Sequence, residues 1–386
     1  MIPCLHFGRC GGCKYLDIPY AEELAIKEAD LRETLGEYSP HLTELIPAPR
    51  PVAYRNKMEI AFGDDGKDGK LALGMRKQRS FYEVATPSVC VLIPPDFSRI
   101  IVHVLEYFQA SGDAFFHRKR HTGTLRHLVL RRGEFTGQIL LLLSTTSGLE
   151  TPLQPLIDSL LKLELDGQIV GFSHAINDGV ADAVKNENIT ILHGQDYYME
   201  QLLGLKFKVS TFSFFQTNSS GAEVLYDLVR HYAKKAGANN LAYDMYCGTG
   251  TIAQILSPIF DKVMGIEIVE EAIEAAKANA KLNHITNCAF FAGDVGKLIS
   301  TNAIETPDVL VLDPPRDGIH PKTLPQIIDI NAPVLIYVAC KPKSLVRDLP
   351  QLLAAGYVLR EITAMDMFPR TPHVEAVALL TRDETL

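Results

Sequence analysis

The chain has 386 residues, 47% hydrophobic and 22% charged, which allows two or three domains and excludes a disordered or fibrous protein. No apolar run reaches the length of a membrane span, and the start Met1-Ile-Pro-Cys-Leu-His6 lacks the basic-then-apolar pattern of a signal peptide, so a cytoplasmic protein without a membrane partner is expected. Seven cysteines, an odd number, argue for metal or chemistry rather than a disulfide framework, and a net charge of −8 does not advertise a nucleic-acid binder, although a local basic face can still act as one.

Cys4, Cys10 and Cys13 form a C-x(5)-C-x(2)-C pattern, with Gly8, Gly11 and Gly12 between them. Glycines let a backbone wrap closely around a ligand. Three thiolates need a fourth, and Cys90 is the nearest candidate along the chain. The uneven spacing and the lone distant cysteine suit a four-cysteine iron–sulfur cluster better than paired zinc knuckles. Zinc and unliganded thiols remain open alternatives, and His6 reads as a bystander. Residues 19–35 then predict an amphipathic helix with Ala21, Leu24, Ala25, Leu31 and Leu35 on one face, closed by Gly36.

From about Ala53 to Leu203, short β-like runs separated by polar, glycine-rich turns predict a mainly antiparallel α+β module. It holds a local basic excess. Arg118, Lys119, Arg120, Arg126, Arg131 and Arg132 lie in a stretch without Asp or Glu, and Arg76, Lys77 and Arg79 form a second group. Most charge runs are solvated faces, but two in one module beside a cysteine cluster point to phosphate contacts.

From Leu205 the pattern alternates β and α, which predicts a mostly parallel sheet. The expected division is therefore residues 1–204, an iron–sulfur and phosphate-contacting region, and 205–386, a ligand-binding parallel-sheet region. Phe212-Ser-Phe-Phe-Gln216-Thr-Asn218 precedes a predicted helix, and Tyr243-Asp244-Met-Tyr246-Cys247-Gly248-Thr-Gly250-Thr251 reads as strand, G-x-G turn and helix start. Glu267 ends the next strand, where a carboxylate can accept ribose hydroxyls. The third glycine of a dinucleotide fingerprint is missing and Thr251 follows Gly250 instead, which favours S-adenosylmethionine over NAD. Asp294 ends a further strand, placed to accept from an adenine amine. Cys247 reads as a packing residue of the turn.

Asp313-Pro-Pro-Arg316 stops another buried strand, and Val334–Ala339 is an apolar run followed by Cys340 and Pro342. Asp313, Glu267 and Cys340 should thus share one sheet edge, where α/β folds bind ligands. A lone cysteine there is more often packing than chemistry; the company it keeps reverses that reading. Glu375 precedes a closing strand in a proline-stiffened loop. A carboxylate against an apolar strand is costly unless used, and its raised pKa would suit a general base.

Taken in order, C-x(5)-C-G-G-C, F-F-Q-T-N, Y-C-G-T-G-T, D-P-P-R, Y-V-A-C-K-P and D-M-F-P-R-T-P-H-V-E resemble the S-adenosylmethionine-dependent RNA (uracil-5-)-methyltransferases of 23S ribosomal RNA and tRNA. The resemblance covers nearly the whole chain. It implies an α/β fold, with a Rossmann-like methyltransferase domain and an α+β N-terminal and central region carrying a [4Fe-4S] cluster on Cys4, Cys10, Cys13 and Cys90. It also implies S-adenosylmethionine contacts from Gln216, Tyr246, Glu267 and Asp313, with Thr251 and Asp294 as further candidates. The nucleophile falls on Cys340 and the proton-abstracting base on Glu375.

Two departures stand out. Relatives often read S-C-N-P where this chain has Ala339-Cys340-Lys341-Pro342, and Lys341 can lower the Cys340 pKa. Many relatives begin with a small RNA-binding β-barrel; this chain starts almost at the cysteines, like the shorter ribosomal-RNA subtype. The expectation is a monomeric enzyme that methylates carbon 5 of a 23S uridine through a cysteine–uracil adduct. A tRNA methyltransferase is the alternative, and a non-catalytic RNA-binding iron–sulfur protein the alternative from another class.

Overall fold

The structure, a computed structural model, describes residues 4–66, 69–80, 82–180, 184, 188–297 and 305–382. It opens with α1 (Tyr20–Leu35) and β1 (Leu42–Ile46). Next come β2 (Lys57–Asp64), β3 (Leu71–Arg76), β4 (Val84–Ala85), α2 (Pro95–Ser111), β5 (Leu125–Arg132), β6 (Gln138–Thr145), α3 (Gln154–Leu160), β7 (Gln168–Ile176) and β8 (Ile189–Gly194). β9 (Tyr197–Leu202) and β10 (Leu205–Ser210) form an antiparallel hairpin. The remainder is α4 (Ser219–Lys235), β11 (Leu241–Met245), α5 (Thr251–Leu256), β12 (Lys262–Glu267), α6 (Glu270–Leu282), β13 (Cys288–Ala292), β14 (Val309–Leu312), α7 (Thr323–Asp329), β15 (Val334–Ala339), α8 (Pro342–Ala354), β16 (Tyr357–Met365) and β17 (Glu375–Arg382).

The later strands build an eight-stranded sheet in the order β1-β16-β17-β15-β14-β11-β12-β13. Every neighbour pair is parallel except the two that β17 makes with β15 and β16. β15 shows why its sequence is one unbroken apolar run. Val334, Ile336 and Val338 face a core shared with α4, α5 and α6, while Leu335, Tyr337 and Ala339 face a second core shared with α1, α7 and α8. A strand covered on both faces has no polar side to alternate with. The chain runs outward from β11 to β13 and then returns to β14 on the other side of β11. That reversal opens a crevice at the carboxyl ends of the strands.

The expected antiparallel module is a seven-stranded sheet, β4-β3-β2-β5-β6-β7-β8, in which β6 and β7 are the parallel pair. Leu128, Leu130, Leu141 and Leu143 share a core with Phe97, Ile101 and Phe108 of α2 and Leu156 of α3. Two features differ from the division expected near residue 204. β1 is the edge strand of the eight-stranded sheet, and the β9–β10 hairpin straddles the junction.

The first helix also differs. Ala21 and Ala25 are exposed, and the buried face carries Glu23, Lys27, Leu31 and Leu35. Two charged side chains displace the alanines because their buried partners, Asp366 and Arg370, lie opposite. Among the described residues, no helix is long and apolar enough to cross a membrane.

Candidate active site

The sheet delivers its chemistry to one edge. β11 ends beside Tyr246, β12 at Glu267, β14 beside Asp313 and β15 beside Cys340. Because β17 runs antiparallel to β15, its first residue, Glu375, arrives at the same edge: Ala339 pairs with Ala376, so Cys340 and Glu375 stand at the next position on the two strands. All five, with Gln216, line a cavity of about 1790 Å³.

The acids there crowd one another. Glu375 is 3% exposed. Burial, then the Asp313 charge, pushes its carboxyl up to about 8, with Arg316 opposing. Burial pushes Asp313 up to about 7. The Cys340 thiol rises to about 11 through burial, then Glu375 and Asp313. The cation that opposes this rise is Arg316, whereas Lys341 is exposed and does not contribute, contrary to the sequence expectation. Arg316 also donates to His373 Nδ1 at 3.4 Å. Neither residue was assigned a role from sequence, although both lie inside the quoted motifs.

The turn after β11 has the shape of a nucleoside cradle. Gly248 and Gly250 have φ of 52° and 72°, and a Cβ at Gly250 would stand 2.5 Å from the Phe290 ring. Tyr246 holds a φ of 64° without being glycine, a strained conformation that clusters at functional sites. Gly248 N and Val269 N donate to the two Glu267 carboxylate oxygens at 3.2 and 3.0 Å, fixing that side chain at the cavity wall. Asp244 Oδ2 accepts from Ala253 N at 2.8 Å, while its buried Oδ1 has no partner among the described residues. The cradle and the aimed carboxylate fit S-adenosylmethionine. Thr251 and Asp294 lie apart from the cavity lining: Thr251 is buried against Thr249, and Asp294 accepts from Lys297 N. Cys247 is 8% exposed, with its thiol pushed up by burial, as a packing residue should be.

Gln216 is held from behind. Its carbonyl accepts from Asn56 Nδ2 at 3.1 Å, and its side chain bonds the buried Tyr226 hydroxyl. Tyr226, in the middle of α4, also lies within electrostatic reach of Asp313 and Glu375. It carries no motif signal and was missed. Asn218 caps α4 by accepting from Gly221 N at 3.0 Å, and its Nδ2 donates to Met367 O at 2.8 Å.

Cys13, Gly11 and Gly12 form part of the same cavity wall. Burial, then Cys90, Cys10 and Cys4 in that order, pushes the Cys13 thiol up to about 12, which puts the other three cysteines within electrostatic reach of it. Among the described residues, no three His, Cys, Asp or Glu side chains are arranged so that they could hold a metal ion. The donor set suits a cluster; its closed geometry is absent.

The basic run divides. Arg131 is buried and donates to Ser213 O at 2.7 Å, Arg126 is buried over the Phe116 ring and donates to Gly179 O, and Arg132 faces Asp96 at 3.5 Å. These three serve packing because β5 is an inner strand with both faces covered. Lys119 and Arg120 are exposed and Arg118 half-buried.

Residues 180–383 match the family profile described as tRNA (Uracil-5-)-methyltransferase. The chain is 43% identical to an uncharacterized RNA methyltransferase of Clostridium tetani, over 99% of this chain and 84% of the relative. It is 44% identical to one from Clostridium acetobutylicum, over 98% and 83%. Among solved structures, it resembles the Pyrococcus abyssi tRNA (uracil-54, C5)-methyltransferase in complex with S-adenosyl-L-homocysteine. That match has a TM-score of 0.79 and 26% identity, and covers 96% of this chain and 86% of the other.

Proposed function

The chain belongs to the tRNA (uracil-5-)-methyltransferase family and is an S-adenosylmethionine-dependent RNA (uracil-5-)-methyltransferase, and from that premise we propose that it methylates carbon 5 of a specific 23S ribosomal RNA uridine through a covalent adduct at Cys340. The observation that carries the adduct and the base is the convergence of Cys340, Asp313 and a buried Glu375 at one sheet edge.

Carbon 5 of uracil is a weak nucleophile. Cys340, as thiolate, forms a bond to carbon 6, and the carbon 5–carbon 6 π electrons move onto the ring as an enolate. Bound S-adenosylmethionine, which Gln216, Tyr246, Glu267 and Asp313 would hold, would supply the methyl group that carbon 5 takes up, with S-adenosylhomocysteine as the leaving group. Glu375 then takes the carbon 5 proton. The electrons of that C–H bond re-form the double bond and expel the Cys340 thiolate. A carboxyl whose pKa is raised to about 8 is a stronger base, once ionised, than an ordinary glutamate. Arg316 faces Cys340, Glu375 and His373, where a guanidinium offsets the acids' charge. The target base must leave its stack to reach this edge, which favours a single-stranded loop.

We assign Cys4, Cys10, Cys13 and Cys90 to a [4Fe-4S] cluster, supported by their donor chemistry and mutual electrostatic reach; when bound, it would supply rigidity to the cavity wall. Iron and sulfide analysis of anaerobically purified protein checks the assignment. The exposed Lys119 and Arg120, with Arg118, are assigned to RNA phosphates.

The 23S assignment is the substrate expected from the sequence, carried forward here as part of the proposal. A second reading, tRNA, is favoured by the likeness to the P. abyssi enzyme. Protein incubated with labelled S-adenosylmethionine and total RNA from a strain lacking the enzyme separates them. Labelled 5-methyluridine in the 23S fraction supports the first reading. Label in tRNA overturns the substrate and keeps the chemistry. Label on another atom overturns the mechanism.

A further inference from the structure

Behind the cavity lies a set of charges that the reaction does not touch. Lys27 Nζ stands 2.7 Å from Glu23 Oε1 and 2.7 Å from Asp366 Oδ1, and Arg370 Nη1 stands 3.2 Å from Glu23 Oε2. All four side chains are 8% exposed or less. The Tyr20 hydroxyl donates to Asp366 Oδ2 at 2.8 Å. Two charges come from α1 and two from the loop between β16 and β17, so the quartet is neutral and joins the two ends of the chain.

Stability alone is a poor reason for such a cluster. Burying four ions is expensive, and apolar replacements of the same shape are often neutral or stabilising. What the quartet gives is register. The loop leaves β16 at Met365 and rejoins the sheet at Glu375, the residue that pairs with Met365. Between them, Phe368, Thr371, Pro372 and His373 line the cavity. The quartet grips the loop from Asp366 to Arg370, on the side of this wall that leaves β16. Lys27 also donates to Phe368 O at 3.2 Å, and Arg370 N donates to Glu23 Oε1 at 2.6 Å. Arg370 is held at a φ of 68°, and its carbonyl accepts from Lys14 N at 2.7 Å and Tyr15 N at 3.3 Å, directly after Cys13. From outside α1, Tyr54 donates to Pro369 O at 2.9 Å.

We propose that the buried quartet Glu23–Lys27–Asp366–Arg370 is a positioning device that sets the loop, and with it the Glu375 carboxylate, for the proton-removal step at Cys340. The proposal rests on the reading of Glu375 as the base. It makes α1, at the far end of the sequence, part of the machinery that discharges the adduct.

The test separates adduct formation from adduct discharge. An RNA that accepts methyl in the labelling assay is transcribed with uridine or with 5-fluorouridine. The fluorinated base has no carbon 5 proton, so its adduct forms without the base and is not released. The double variant E23Q/K27M removes one charge of each sign and keeps the quartet neutral. We expect its fluorouridine adduct yield to stay within about twofold of the parent, while turnover on uridine RNA falls about tenfold and undischarged adduct accumulates. Tyr20→Phe, which removes a single hydroxyl, shows the same pattern to a smaller degree and decides the matter if the double variant does not fold. Unchanged turnover in both variants, or adduct yield and turnover falling together, overturns the proposal. Failure of the underlying reading looks different: Glu375→Gln itself then accumulates no adduct.

Discussion

Cys340 and Glu375 stand across from each other at the ends of two antiparallel strands, one residue beyond the Ala339–Ala376 pair. The ladder, rather than a flexible loop, sets their separation. For the proposed addition and elimination, a nucleophile and a base on paired backbones would hold their geometry at little entropic cost.

Cys340→Ser is therefore expected to form no adduct and to lose methyl transfer by roughly a thousandfold or more. Glu375→Gln should lose about a hundredfold to ten-thousandfold in turnover while retaining adduct formation. Denaturing gel shifts of protein with labelled RNA distinguish the two. A fully active Cys340→Ser enzyme would rule out the adduct.

Stability should carry the signature of the buried acids. The folded pKa of Glu375 is raised from 4.5 to about 8, so its protonated form is favoured in the fold. Its contribution is present below 4.5 and is lost as pH rises through about 8. Asp313 behaves alike between 3.8 and about 7. The melting temperature of the free protein should fall across these windows, and Glu375→Gln should flatten the upper part of the decline. A melting profile unchanged by the substitution would count against the raised pKa.

Glu267→Ala should weaken S-adenosylmethionine binding by about ten- to a hundredfold without loss of fold, since the carboxylate reaches the cavity and its other partners are backbone N–H groups. Calorimetric titration measures this directly. Thr251→Val, a site apart from the cavity lining, should leave the affinity within about threefold.

Asn218→Ala removes the cap of α4 and the bond to Met367 O together. The lost cap alone costs about 1 kcal/mol. Chemical denaturation should show a larger total cost than that, because a buried carbonyl in the loop ahead of Glu375 also loses its donor.

The parts of the site that local sequence could specify were legible. A glycine turn after a strand, a carboxylate at the next strand tip, D-P-P-R after a buried run and a cysteine before a proline each impose a local backbone shape, and the parallel sheet gathers them at one edge. Local pattern failed where burial depended on distant partners. β5 read as a basic surface run, yet Arg126, Arg131 and Arg132 are absorbed within the fold because residues on both faces of this inner strand are buried. α1 read as an alanine and leucine face, yet Glu23 and Lys27 turn inward to partners more than three hundred positions away.

The sequence by itself determined the reaction family, the sheet edge and the residues proposed to do the chemistry, since each is written in short motifs whose shape is local. Only the tertiary structure decided which cation attends Cys340 and what holds the loop before Glu375. Arg316 rather than Lys341 opposes the rise of the Cys340 pKa, and residues near the first helix rather than neighbours in sequence grip Asp366 and Arg370. Charges are matched through space, and the order of residues along the chain does not encode which of them will share a buried pocket.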